Sequence, residues 1–307
     1  MNLKQLASFV QVAELGSFSK AARLLGVAQP ALSRQVRQLE TELRETLLLR
    51  NGRGVAPTDA GRRLLVHGNQ ILQAVAQAEN ERGARRDEPV GRITVGLPPS
   101  IGRQLSLPLI DRFRQRLPQA RLAIVEGLSS HVAEWISSGR LDIGLLYNPE
   151  PQDGLEFTPL LQEPLSLVSC AAVTDERGRA VAFSDLPRYP LVLPERGHTV
   201  RRVLEAQALL AGVKLHIAWE VSSVATIIDL VCAGHGHAVL HASAVAASGR
   251  LDQLWVRPLQ APSLSTVLCL ATSAHKRPSP LMRHMLPLLT DLVRSLPQAA
   301  AAQSRPG

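Results

Sequence analysis

Residues Ser17 to Glu40 read SFSKAARLLGVAQPALSRQVRQLE, two short amphipathic segments joined by a tight Gly26-Val27-Ala28 turn. In the first, Phe18, Ala21, Ala22 and Leu25 recur at three- and four-residue intervals; in the second, Leu32, Val36, Leu39 and Leu43 do the same. Each segment, if helical, therefore has one stripe to bury. The small Ala21-Ala22 pair lets the two helices approach closely. Gln29 and Pro30 open the second helix, where a proline's missing N–H costs nothing. Gln29, Ser33, Arg34 and Arg37 lie off the apolar stripe, and such side chains donate to base edges and phosphates. The spacing predicts a helix-turn-helix. On pattern alone an ordinary solvated helical pair also fits, because any amphipathic pair exposes some arginine and glutamine.

Working outward, Leu3, Leu6, Phe9, Val10 and Ala13 share one face of a helix from Leu3 to Leu15, and Gly16 suits its left-handed C-cap. A third helix is expected from Gln29 to about Arg44. Leu47-Leu48-Leu49 reads as a short strand, and RNGRGVAPT turns through Asn51-Gly52 and Gly54, a hairpin-like wing carrying Arg50 and Arg53. An arginine on such a thin loop enters a narrow minor groove, or is simply solvated. Thr58 then caps a long helix with Asp59 in its first turn. Its stripe of Leu64, Leu65, Gly68, Ile71, Leu72, Val75 and Ala78 is long and narrow, which predicts pairing with the same helix of a second subunit. Asp87 to Gly91, through Pro89, reads as a hinge.

From Leu3 to about Arg86 the chain resembles LysR-type bacterial transcription regulators. The resemblance is carried by FVQVAELGSFSKAA from Phe9, AQPALSRQ from Ala28 and RNGRGVAPTDAG from Arg50. It implies that Ser17, Ser19, Gln29, Pro30, Ser33, Arg34, Arg37, Arg50 and Arg53 face double-stranded DNA. It also implies a dimer or tetramer, RNA polymerase as a further partner, and a small-molecule effector. Ala28 departs from the pattern, since such sequences place Ser or Thr there as an N-cap; the loss costs that helix about 1 kcal/mol.

The remaining two thirds alternate strand-like runs (RITVGLP, RLAIVEG, LDIGLLY, PLSLVSC, PLVLP, LHIAWEV, HAVLH, TVLCLAT) with helical ones. The helical runs are Ser100–Arg116, a segment around His131–Ser138, His198–Leu210 and Val224–Cys232. That order predicts an α/β fold with parallel sheets. Crossings near Pro164-Leu165 and Pro262–Thr266 would make two lobes with a cleft between them. This matches the periplasmic-binding-protein-like effector domain that the resemblance implies, with PPS, EGLSSHVAEW and SGRLDIGLLY looking most like nitrogen-assimilation-control-like members. The expected division is a winged helix-turn-helix at 1–58, a linker helix for dimerisation at 59–88 and an effector domain at 89–296. In that domain lobe I takes about 91–163 and 267–296, lobe II about 164–266. A disordered tail is expected at 297–307. Effector residues are sought at helix starts that follow strand ends: Ser100 with Ile101, Ser129, His198 with Thr199, and Val224. Such termini favour carboxylates, so a small organic anion is expected.

Composition excludes other classes. With 45% hydrophobic and 20% charged residues in 307, the chain is expected to be globular. A net charge of +8 calls for an anionic partner, without separating nucleic acid from membrane surface. No run of about twenty apolar residues and no signal-peptide pattern is present, which predicts a cytoplasmic protein with no membrane partner. Cys170, Cys232 and Cys269 lie in apolar contexts without flanking Lys or Arg and read as buried thiols rather than redox sensors. His235, His237 and His241 are close, yet no Cys or carboxylate completes a metal-ligand set. No nucleophile elbow, phosphate loop or dinucleotide fingerprint is present, so neither catalysis nor a cofactor is expected. A solute-binding receptor and an α/β enzyme with an accessory DNA-binding-like domain are the two readings that compete with a ligand-responsive regulator.

Overall fold

A computed structural model describes residues 1–51, 54–81, 89–172, 179–274 and 278–296. It divides into two compact units, Met1–Gly91 with Trp135–Leu141, and Arg92–Glu134 with Asp142–Gly307.

The first unit contains helices α1 (Leu3–Leu15), α2 (Phe18–Leu25) and α3 (Gln29–Leu43), strands β1 (Leu48–Asn51) and β2 (Gly54–Pro57), and helix α4 (Asp59–Glu81). Phe9, Val12, Phe18, Ala21, Leu32, Val36 and Leu39 close over one core, as the stripes require. α2 stops at Gly26, whose φ of +64° is the left-handed C-cap that turns the chain into α3. β1 and β2 form the antiparallel wing; Arg53 lies outside the described residues. Part of the α4 stripe packs inward. Leu64, Leu65 and Leu72 pack against the core of their own unit. At Gly68 a Cβ would stand 2.9 Å from Val10 Cγ2, so a side chain there would force Val10 or the helix to shift. Ile71 remains exposed and Val75 half-buried. The hinge residues Asp87 and Glu88, the expected end of the linker helix and the 297–307 tail lie outside the described residues.

The second unit is mixed α/β. Lobe I holds β3 (Gly91–Leu97), α5 (Pro99–Arg116), β4 (Ala120–Glu126), α6 (Ser129–Ser137) and β5 (Ile143–Tyr147); Gly91 of β3 and Trp135–Ser137 of α6 group with the first unit. A single 16-residue strand, β6 (Leu155–Cys170), follows. Lobe II holds β7 (Val181–Ala182), β8 (Leu191–Leu193), α7 (Thr199–Ala211), β9 (Ile217–Glu220), α8 (Val224–Cys232), β10 (Ala238–His241), α9 (Ala242–Ala246) and β11 (Leu254–Gln260). The chain returns through β12 (Ser265–Ser273) to α10 (Pro280–Arg294).

Among the described residues these strands form an eight-stranded sheet in the order β4-β3-β5-β12-β6-β11-β7, with β10 also on β6 and a β8-β9 pair apart. The expectation of parallel sheets is corrected: β3-β5, β8-β9 and β7-β11 are parallel, but β12 runs antiparallel to β5 and β6, and β10 and β11 antiparallel to β6. The reason is the return crossing. β6 pairs with β12 up to Pro164 and with β10 and β11 from Leu165 onward, so a strand coming back alongside it must run the other way. Lobe I buries Val95, Leu97, Ile101, Leu145 and Leu289 in one core, while lobe II has separate cores around Phe183 with Leu204 and around Ile227 with Val231.

Candidate functional site

The exposed face of α2 and α3 is built by their caps and their cores. Ser17 Oγ accepts from Lys20 N–H at 3.3 Å, starting α2 with Ser19 exposed. α3 starts at Ala28 with no side-chain cap, Pro30 in its first turn, and Leu32, Val36 and Leu39 buried. Gln29, Pro30, Arg34 and Arg37 are consequently exposed. Ser33 is half-buried and engaged: Arg50 Nη2 donates to its Oγ at 2.9 Å, while the Arg50 guanidinium lies 4.4 Å from the Phe18 ring centroid. Arg50, exposed on the wing, thus also touches the α2-α3 pair. Glu40, not singled out from the sequence, accepts from Leu47 N–H at 2.8 Å and Leu48 N–H at 3.1 Å and ties α3 to the start of β1.

Within the second unit, a cleft of about 430 Å³ opens between the lobes, lined by Pro99, Ser100, Arg103 and Glu126 on one side and by Ser222, Ser223, Val224, Ala225, Ile228 and Ala244 on the other. Of the expected effector residues, Ser100 and Val224 reach it. Ile101 is fully buried in the lobe I core. Ser129 and Thr199 meet elsewhere, at Tyr147: Tyr147 N–H donates to Ser129 Oγ at 3.0 Å, and Thr199 Oγ1 donates to Tyr147 O at 3.4 Å. His198 caps α7, its Nδ1 accepting from Val200 N–H at 3.3 Å. Burial lowers its pKa to about 4, with the His241 and Arg202 charges acting in the same direction.

Tyr147 also links the cleft to a buried polar group that the sequence reading passed over. Ser100 hydrogen-bonds its phenol, which donates to Glu163 Oε2 at 2.5 Å. Ser243 Oγ donates to Glu163 Oε1, also at 2.5 Å. His241 stacks on the Tyr147 ring with centroids 4.8 Å apart, and its Nε2 pairs with Thr266 Oγ1 at 2.8 Å. Burial, and then the neighbouring carboxylate, raises the Tyr147 pKa well above the usual phenol value, so the phenol stays a donor. Glu163 is therefore a buried carboxylate gripped by one hydroxyl from each lobe. The available signal was position: Tyr147 ends a strand on the cleft side, and Glu163 precedes the Pro164 crossing.

His237 pairs with Ser169 at 2.7 Å and His241 with Thr266, so the histidines diverge. No three His, Cys, Asp or Glu among the described residues are arranged to hold a metal. Cys170 and Cys269 are buried, but Cys232 is only half-buried. Among the described residues no helix is long and apolar enough to cross a membrane.

The family model for bacterial regulatory helix-turn-helix proteins of the lysR family matches residues 3–62, and that for the LysR substrate binding domain matches residues 86–294. The chain belongs to the LysR family. It is 32% identical over 294 residues to the nitrogen assimilation regulatory protein nac of Klebsiella aerogenes, covering 95% of both chains. To nac of Escherichia coli it is 30% identical over 296 residues, covering 96% of both. Among solved structures, full-length OxyR of Pseudomonas aeruginosa superposes with a TM-score of 0.75 at 26% identity, covering 100% of this chain and 99% of that one. CbnR in complex with its target DNA shares the fold, with a TM-score of 0.56 at 24% identity over 95% of this chain and 100% of its own. This LysR protein is a DNA-binding transcription regulator with an effector-binding domain, not an enzyme.

Proposed function

We propose that this regulator reads promoter DNA through α3 and is modulated by a small organic anion, a carboxylate, held in the interlobe cleft. Gln29, Ser33, Arg34 and Arg37 of α3 face the major groove, Pro30 starts that helix, and Ser17, Ser19, Arg50 and Arg53 contact the flanking backbone or minor groove. Residues 1–58 serve as the DNA-binding domain, 59–88 as the dimerisation helix and 89–296 as the effector domain, in a cytoplasmic oligomer that acts with RNA polymerase. The observation that carries the effector reading is the 430 Å³ cleft, which brings Arg103, Ser100 and the start of α8 together in a cavity of ligand size. The ligand acts as a switch by binding one lobe arrangement better than the other, since equal affinity moves nothing.

The test is a gel-shift on DNA upstream of the protein's own gene, with and without a panel of small carboxylates, beside the thermal midpoint of the full chain. A carboxylate that raises the midpoint and alters the shift is expected, because a ligand of the native state stabilises it by mass action. DNA binding with no response to any carboxylate would leave the DNA reading and remove the effector reading.

A further inference from the structure

Among the described residues two of those lining the cleft are charged, and they do not pair with each other. Arg103, on α5, donates from Nε to Ala247 O at 3.2 Å, which anchors its guanidinium toward lobe II. Glu126 ends β4, and among the described residues its carboxylate makes no hydrogen bond or ion pair. It lies against Gly102, where a Cβ would stand 2.3 Å from Oε1; glycine at 102 is what leaves this carboxylate its place beside the first turn of α5. A carboxylate there already supplies the negative charge that a helix N-terminus favours. What that carboxylate lacks, among the described residues, is a paired cation. On the lobe II wall, Ser223 caps α8 through Thr226 N–H at 3.4 Å, and the cleft meets the helix at Val224 and Ala225. Pro99, Ala225, Ile228 and Ala244 make the rest of the lining largely apolar.

A cleft that among the described residues holds one unpaired anion, one guanidinium and no third charge matches a ligand carrying both signs and an uncharged remainder. Resting on the reading of this cleft as the effector site, and keeping the carboxylate while replacing a net anion by a zwitterion, we infer that the effector is an α-amino acid with an uncharged side chain. Its carboxylate is set by Arg103 and the start of α8, its ammonium by Glu126, and its side chain by Ile228, Ala225 and Ala244.

The experiment measures the thermal midpoint of the full chain against each neutral α-amino acid, its des-amino carboxylate and its decarboxylated amine; leucine, isocaproate and isoamylamine form one such set. At least one amino acid is expected to stabilise the protein and to bind at least about tenfold more tightly than either partial analogue, because each analogue leaves a charged group of the cleft unpaired. Glu126→Gln should bring the amino acid down to the level of its carboxylate, Glu126→Asp should keep the discrimination, and Arg103→Gln should weaken amino acid and carboxylate alike. The unliganded midpoint of each variant reports that it folds. A carboxylate that binds as well as its amino acid, or an unchanged affinity in Glu126→Gln, overturns the amino-acid assignment while the cleft stands as an effector site. No response to any of these compounds overturns both.

Discussion

Tyr147 is engaged at every polar atom: its N–H by Ser129, its carbonyl by Thr199, its phenol by Glu163 and Ser100. Three of the helix-start residues picked out in the sequence, Ser100, Ser129 and Thr199, thus become supports of one buried tyrosine, and local spacing alone could not show that, because the contacts to Ser129 and Thr199 span 18 and 52 residues. His198 belongs to the same neighbourhood, and its titration gives a sharp prediction. Its folded pKa of about 4 lies below the ordinary imidazole value of about 6.5, so between those values the unfolded chain takes up a proton that the folded chain refuses. Stability is unaffected by this residue above about pH 6.5 and falls as pH drops toward 4, by up to about 3 kcal/mol at the lower end of the window. His198→Asn keeps an acceptor for the α7 cap and removes the imidazole. Its thermal midpoint should change little at pH 7 and fall less steeply than the parent's between pH 6.5 and 4. Some slope remains, since burial also lowers the pKa of His237 and His241. A variant whose midpoint followed the parent's pH curve would mean that His198 titrates normally.

At the scale of elements, α3 is positioned from behind by Leu32, Val36 and Leu39 and from its side by Glu40 and Arg50, so its outer face is held in place without a side-chain N-cap. Arg34→Ala should cost about 1–3 kcal/mol on specific sites and relax base preference, read by gel-shift on an operator and on mismatched variants. Unchanged discrimination would move base reading to another residue. The helices of this unit were legible because each has an apolar stripe of period three to four. The partner of α4's stripe was not, since an apolar stripe shows that it is buried but not against what. Leu64, Leu65 and Leu72 pack on their own unit, leaving exposed Ile71 as the better probe of a seam. Ile71→Glu should split the oligomer in light scattering, a buried unpaired charge being costly, and leave the monomer folded. An intact oligomer would place the seam away from α4.

Across the whole effector domain, the helices and most strands could be read from hydrophobic runs, whereas strand direction and the unity of β6 could not. From the sequence only PLSLVSC reads as a strand here, beside a crossing near Pro164-Leu165; in the fold Pro159 and Pro164 both lie in the stretch of β6 facing β12, and Glu163 turns inward to Tyr147 and Ser243. That buried carboxylate fixes one lobe to the other at the crossing. A ligand in the cleft touches α5 of lobe I and α8 of lobe II, so its affinity depends on the angle that Glu163 helps to set. Glu163→Gln leaves one of the two hydroxyl donors without its carboxylate acceptor and should lower the thermal midpoint by the equivalent of about 1–3 kcal/mol. It should also weaken the carboxylate found to stabilise the parent by about 0.5–2 kcal/mol, although residue 163 does not line the cleft. Because coupling between binding sites is reciprocal, the same variant should show a smaller ligand-induced change in DNA affinity. Ligand titrations of parent and variant, each with and without operator DNA, measure both quantities. A variant that lost stability but bound the ligand and DNA with unaltered coupling would make Glu163 a structural pin of the crossing with no part in the switch.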